Sequence, residues 1–473
     1  MNQTKGIIWS AIERFSSQGL QFILSIIIAR LVSPADYGLI AMLTIFLAIA
    51  QSLVDCGFSN ALIQKQDRND TDYSTVFYFN SLISIFIYIL FWLSSPFIAL
   101  FYNEPELCTI ARTAGINFII SALSIVQRTQ MTISLNFKEQ AKITLISVIS
   151  GGIIGIILAW KNYGVWALVI QTLTTNFIST ILFWIISKWR PLFVFSISSF
   201  NRLFSFGSKM LLTGLLATIY NNIYSLVIGK YFSSQDLGFY NRMNTLAAFP
   251  SSNITSIIAR VVYPVQCEMQ NDDEALKKSF IKLIKISSFI IFPLMLGVAA
   301  LAQPLVYILL SEKWLQGAPL LIILCFALMW NHIMFLNWQI LSVKGRSDLS
   351  FKSELIKKII SVIILITTIP LGIKGMCWGL IVYSICDIII IIYFVRNILP
   401  IKYKDEFRAL CPIFLLALSM YIIVTLITSI IPNYYLQFVI GIVIGVSFYI
   451  GCSYLLKFNE LHLILMKISK HEK

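Results

Sequence analysis

Ser25-Ile26-Ile27-Ile28-Ala29-Arg30-Leu31-Val32-Ser33-Pro34-Ala35-Asp36-Tyr37-Gly38 decides the fold, because the chain writes this stretch twice. It returns at an offset of 200 as Ser225-Leu226-Val227-Ile228-Gly229-Lys230-Tyr231-Phe232-Ser233-Ser234-Gln235-Asp236-Leu237-Gly238. Ser25, Ile28, Ser33, Asp36 and Gly38 recur unchanged, and Arg30 becomes Lys230. The chemistry is that of a helix end followed by a helix start. One helix ends near Arg30. The next begins with Ser33 as N-cap, Pro34 at the first helical position and Asp36 in the first turn. Ser233 or Ser234 with Asp236 rebuilds the same cap. A repeat of this length predicts two similar halves.

The flanking helices carry polar stripes. Ser10, Arg14, Gln18, Gln21 and Ser25 fall at helical spacing on one face, and Thr218, Asn221 and Ser225 match them in the second copy. The following helix carries Thr44, Gln51, Ser52, Asp55 and Ser59, and its copy carries Ser251, Ser252 and Thr255. Polar groups inside a membrane face protein or a water-filled cavity rather than lipid. The stripes therefore predict a central cavity between the two halves.

That the setting is a membrane follows from composition. The chain is 58% hydrophobic and 12% charged, with a mean hydropathy of +0.82. Apolar runs of ~20 residues, long enough to span a bilayer, recur throughout. Glu13 and Arg14 interrupt the first of them, which argues against a cleavable signal peptide. The net charge of +14 sits in short loops, so it sets topology and touches anionic headgroups rather than nucleic acid. Eight cysteines form no CxxC pair and three histidines are scattered, so neither a metal site nor a cofactor is expected.

The apolar runs predict an all-α polytopic membrane protein with about 14 transmembrane helices. They group as an N-terminal six-helix lobe (1–190), a C-terminal six-helix lobe (191–400) and two extra helices with a cytoplasmic tail (401–473). Six helices per lobe keep the copies parallel, related by an axis along the membrane normal. Most Lys and Arg fall in loops on one side, which puts both termini in the cytoplasm. Lys188 to Phe204, rich in aromatic and basic residues, reads as a segment in the headgroup region. Gly151, Gly152 and Gly155 read as close helix packing.

Gly238-Phe239-Tyr240-Asn241-Arg242, with Phe249-Pro250, Val262-Tyr263-Pro264 and the stretch from Gln339 to Lys358, resembles a known family. It is the polysaccharide transporter, or O-antigen flippase, branch of the multidrug/oligosaccharidyl-lipid/polysaccharide exporter superfamily. The resemblance covers residues 1 to about 400. It implies a flippase that moves undecaprenyl-diphosphate-linked oligosaccharide across the bacterial inner membrane by alternating access, for O-antigen, capsule or exopolysaccharide assembly. It also implies membrane lipids and glycan polymerase machinery as partners. In the family, helices 1, 2, 7 and 8 line the cavity. Carried over, the substrate-facing positions are Arg14, Gln18, Gln21, Asp55, Asn221, Arg242, Asn253 and Arg260.

The residue types suit such a cargo. A diphosphate needs cations, best supplied by Arg; sugars need amides, hydroxyls and aromatic rings. Arg14 and Asp55 are expected to pair near the cytoplasmic end of a hairpin. Asp387 is either a coupling site for an ion or half of a structural pair. Two other functions stay open. A drug or cation antiporter would use Asp55 or Asp387. A glycan polymerase or ligase would need a large outward loop bearing catalytic Arg and His, which this chain lacks.

Overall fold

The structure is a computed structural model that describes residues 3–462, without the side chains of residues 3–16, 257 and 259–261. The tail beyond 462 and the side chains of Arg14 and Arg260 thus lie outside the described residues. Helices carry the fold, and no strand occurs among the described residues. Among the described residues, ten helical stretches, or eleven if one pair bent by 44° counts as a span, are long and apolar enough to cross a membrane. Two of the ten, Glu312–Val343 and Ser347–Val395, each contain two α-helices. The protein is an all-α, multi-pass membrane protein.

The chain divides into two compact units, with the boundary after Gly238. The first contains α1 (Gln3–Leu31), α2 (Pro34–Asp55), α3 (Phe58–Gln64), α4 (Asp70–Tyr102), α5 (Glu106–Ala122), α6 (Ile125–Ile133), α7 (Phe137–Trp160), α8 (Val165–Ile186) and α9 (Ile197–Tyr231). The boundary falls inside α10 (Ser234–Glu268). The second unit continues with α11 (Asp273–Ala300), α12 (Ala302–Leu310), α13 (Ala318–Leu328), α14 (Asn331–Val343), α15 (Ser347–Thr368), α16 (Gly372–Val395), α17 (Tyr403–Ser429) and α18 (Tyr434–Leu455).

The glycine cluster of α7 packs as expected. Gly152 lies against Leu24 and Gly155 against Ile28 of α1, while Gly151 and Gly155 abut Thr175 and Gln171 of α8. Small residues let these helices approach closely where lipid supplies no hydrophobic drive. α9 packs along the same unit: Gly207 rests on the backbone of Cys56 and Gly57, and Gly229 on Tyr102 and Met42. The Lys188 to Phe204 segment is tied down. Leu192 N–H donates to Ser74 Oγ at 2.9 Å and Ser196 N–H to Thr75 Oγ1 at 3.1 Å. Its Trp189 and Phe200 pack on the Phe58–Phe77 core, whereas Phe193 is 99% exposed. In the second unit the core is built on Phe280, Ile284, Phe292, Met295 and Trp314, all fully buried.

The repeated turn forms the same capping box twice. Ser33 Oγ accepts from Asp36 N–H at 3.2 Å, and Ser33 N–H donates to Asp36 Oδ2 at 3.4 Å. Ser233 Oγ accepts from Asp236 N–H at 3.1 Å, and Ser233 N–H donates to Asp236 Oδ2 at 3.4 Å. Ser233, not Ser234, is therefore the second cap. The two turns then cross. A side-chain carbon on Gly38 would collide with the carbonyl of Ser234, and one on Gly238 with the carbonyl of Pro34. The contact is reciprocal and backbone on backbone, so neither partner can rotate away.

Overpacking of this kind costs ~1–3 kcal/mol, more where backbone must move. Gly38→Ala and Gly238→Ala are expected to lower the amount of folded protein in the membrane. Gly214→Ala is the control, since nothing lies within 4 Å of that position and Ala favours the helix by ~1 kcal/mol. Membrane abundance and thermal stability of the three variants check this.

Candidate functional site

The polar stripe of α1 is graded. Gln18 and Ser25 are half-buried and Gln21 is exposed. The stripe of α2 turns into the first unit. Gln51 Oε1 accepts from Ser121 Oγ at 3.0 Å. Thr44 and Gln51 line a cavity of about 430 Å³ with Tyr37, Asn117, Gln171 and Thr172. Beside it Asn176 Nδ2 donates to Asn117 Oδ1 at 2.7 Å. The rest of the lining is apolar, with Ile40, Leu47, Phe118, Leu168, Val169 and Leu173, so the amides and hydroxyls are isolated donors and acceptors in an uncharged, mainly apolar cavity. Asn117 and Gln171 were not among the sequence candidates. Their signal was an amide inside an apolar run on helices that the repeat does not highlight.

Asp55 is the last residue of α2. Its Oδ1 accepts from Ser59 Oγ at 2.5 Å and from Ser59 N–H at 3.4 Å. The turn between them passes through Cys56 at φ 47° and Gly57 at φ 72°. Asp55 thus holds the start of α3, where a carboxylate complements the exposed N–H groups. The expected Arg14 partner lies outside the described side chains. Asn221 on α9 is exposed.

On α10, Arg242 is 5% exposed. Placing a guanidinium inside a span costs at least ~2.5 kcal/mol on insertion scales. Asn253 donates from Nδ2 to Phe249 O at 2.8 Å, one turn back on its own helix. Gln339 Nε2 on α14 donates to Gln266 Oε1 at 2.9 Å, which ties α14 to α10.

Asp387 has found a partner that sequence reasoning missed. Lys357 Nζ on α15 lies 3.2 Å from Asp387 Oδ1 on α16 and 2.5 Å from Glu354 Oε1. Tyr383 donates its hydroxyl to Asp387 Oδ2 at 3.2 Å. Lys357 and Asp387 are 4% and 6% exposed. A lysine ammonium therefore stands where a bound cation would have to stand. The missed signal was Lys357 itself: a cation near the start of an apolar run passes for a loop residue that sets topology, yet it sits ten residues into α15.

The comparisons with known proteins agree with this architecture. Residues 27–319 match the family described as polysaccharide biosynthesis protein. The chain belongs to the polysaccharide biosynthesis protein family. It is 25% identical to the teichuronic acid biosynthesis protein TuaB of Bacillus subtilis (strain 168), covering 88% of this chain and 87% of the relative. It is also 25% identical to the lipopolysaccharide biosynthesis protein WzxC of Escherichia coli (strain K12), covering 88% and 86%. The fold is that of the lipid II flippase MurJ in an inward closed conformation, with a TM-score of 0.77 at 18% identity over 95% of this chain and 98% of that one. An inward-facing MATE family transporter of the MOP superfamily matches with a TM-score of 0.62 at 15% identity, over 80% and 95%.

The buried ion pair generates a direct expectation. Lys357→Met alone strands Asp387 and should destabilise the protein by ~3–5 kcal/mol, whereas replacing both removes the buried pair and leaves the partly exposed Glu354 to Lys358. Lys357→Met and Asp387→Asn are each expected to reduce membrane abundance and thermal stability. The double variant is expected to recover most of both. If the double variant is as poor as the worse single, the pair is not what holds α15 to α16.

Proposed function

We propose that this protein moves a lipid-linked oligosaccharide, a precursor of a cell-surface polysaccharide, across the membrane. One coincidence carries the reading. A chain whose fold matches a lipid II flippase over 95% of its length is related over 88% to proteins named for teichuronic acid and lipopolysaccharide biosynthesis. A further relative, from Rhizobium meliloti (strain 1021), is named as a succinoglycan biosynthesis transport protein, at 24% identity over 67% of this chain.

In this proposal the six-plus-six-plus-two organisation into fourteen helices serves alternating access, with both termini cytoplasmic in a bacterial inner membrane. The cargo is an undecaprenyl-diphosphate-linked oligosaccharide, later joined by polymerase machinery. The cationic positions serve its diphosphate. Arg242 and Arg260 are 18 residues apart on α10, which is five turns and roughly 27 Å. Arg260 with Arg14 captures the diphosphate, Asn253 meets the head between them, and Arg242 receives it. Gln18, Gln21 and Asn221 supply amides for sugars, and Asp55 sets the start of α3 beside that path. The drug or cation antiporter is less well supported, because its two candidate acids have partners: Asp387 in Lys357 and Asp55 in Ser59. The polymerase or ligase reading gains nothing from the relatives' names.

Deleting the gene in its host is expected to accumulate lipid-linked oligosaccharide and to abolish the surface glycan. Complementation with Arg242→Ala or Arg260→Ala should fail at normal protein level, and Arg→Lys should restore part of the glycan because charge is the requirement. Glycan normalised to membrane protein abundance is the measurement. Full restoration by both Ala variants would remove these arginines from the transport path.

A further inference from the structure

Three helices of the second unit border their apolar runs with a cation. On α11, Lys285 is the last charge before residues 286–300; on α17, Arg408 is the last before 409–429; on α18, Lys457 follows the run 434–456. In a membrane protein these are headgroup-level positions. The fold brings them to one place. A cleft of about 610 Å³ is lined by Lys277, Lys278, Lys282, Lys285 and Arg408. An adjoining cleft of about 280 Å³ shares Lys285 and Arg408 and adds Lys457.

The charges in this place do not cancel. Lys277 is engaged by Asp405 at 3.1 Å and Lys278 by Glu274 at 3.8 Å. No ion pair among the described residues takes up Lys282, Lys285, Arg408 or Lys457. The one remaining carboxylate in the clefts is Glu460, which is buried. One acid thus stands against four cations. The one other polar residue in the lining is Asn459; the remainder is apolar, with Ile281, Ile286, Pro412, Ile413, Leu456 and Phe458. Farther along, α17 and α18 expose Leu415, Ile422, Val446 and Ile450.

We propose that this cleft between α11, α17 and the segment 456–460 that follows α18 holds the phosphate of an anionic phospholipid whose acyl chains lie along α17 and α18. Excess positive charge selects an anionic over a zwitterionic headgroup, whose own ammonium would meet the same lysines. The apolar lining and the depth at which the charges sit select a lipid over a soluble phosphate. Basic clefts between membrane helices recognise lipid phosphates in this way. The proposal goes beyond the transport reading and does not rest on it.

The test uses the purified full chain, stripped of lipid in neutral detergent, with binding read by native mass spectrometry and thermal shift. Phosphatidylglycerol is expected to bind and to raise the melting temperature. Phosphatidylcholine and inorganic phosphate are expected to do neither. At about fivefold in affinity per cation, K282Q/K285Q/R408Q should bind phosphatidylglycerol about a hundredfold more weakly. K282R/K285R/R408K should bind it as the parent does. If the triple Gln variant fails to fold, Lys285→Gln and Arg408→Gln singly carry the test, each about fivefold weaker. Equal binding by the parent and the Gln variants overturns the site. Equal binding of phosphatidylcholine overturns the charge selection. A melting shift with inorganic phosphate alone makes it a soluble-anion site, and displacement of phosphatidylglycerol by a short polyprenyl diphosphate makes it a cargo site.

Discussion

The reciprocal crossing at Gly38 and Gly238 constrains the first compact unit. Two helix N-termini meet there through their backbones, with each glycine against the other turn's carbonyl. Helix N-termini carry partial positive charge, and four N–H groups at each lack intrahelical partners. Such ends can be packed together only if both are satisfied locally, which Ser33 with Asp36 and Ser233 with Asp236 achieve. Asp36 does more, because its Oδ1 also accepts from Val165 N–H at 3.1 Å. One carboxylate therefore fixes the starts of α2 and α8 while the start of α2 is held against the turn at Ser234–Gly238. In this turn the repeat preserves three things, each with a physical role. They are the serine that caps, the carboxylate that answers it and the glycine whose missing side chain lets the backbones meet.

Much of this was legible in the sequence, because it is local. A Ser-Pro-x-Asp start within four residues needs no knowledge of the partner helix, and apolar runs of span length report the bilayer directly. The glycines of α7 were also readable as packing, since little else explains three small residues on a helix face. What could not be read were contacts between residues far apart in the chain. Gln51 was assigned by its stripe, but its bond goes to Ser121, 70 positions away. Asp387 was visible as an intramembrane acid. Its counter-ion Lys357 was not, because a cation near a predicted helix end looks like a topology signal until the helix proves longer. Periodicity says which face of a helix is polar and nothing about which neighbour answers it.

The distribution of charge links structure to cargo. The membrane is a poor solvent for isolated ions, so each buried charge needs a partner or a function. In the second unit the buried acid Asp387 has Lys357, and the buried Glu406 accepts from Asn337 Nδ2 at 3.1 Å. His332 shares a 2.8 Å hydrogen bond with Ser288. These groups stitch helices of one unit together. The proposed function assigns Arg242 and Arg260 to transport, and the cavity of the first unit is lined by no charged residue. The proposed cargo, an anionic, sugar-bearing lipid, would use cations and amides and leave these acids to structure.

The most direct measurement reconstitutes the purified protein in liposomes that contain a lipid-linked oligosaccharide in both leaflets. A membrane-impermeant glycosidase then reads which molecules have reached the outer surface. A flippase carries inner-leaflet molecules outward, so digestion is expected to proceed from the outer-leaflet fraction toward the whole pool, and Arg242→Ala protein is expected not to support this. Digestion that stops at the outer-leaflet fraction with folded, correctly inserted protein would contradict the proposed transport.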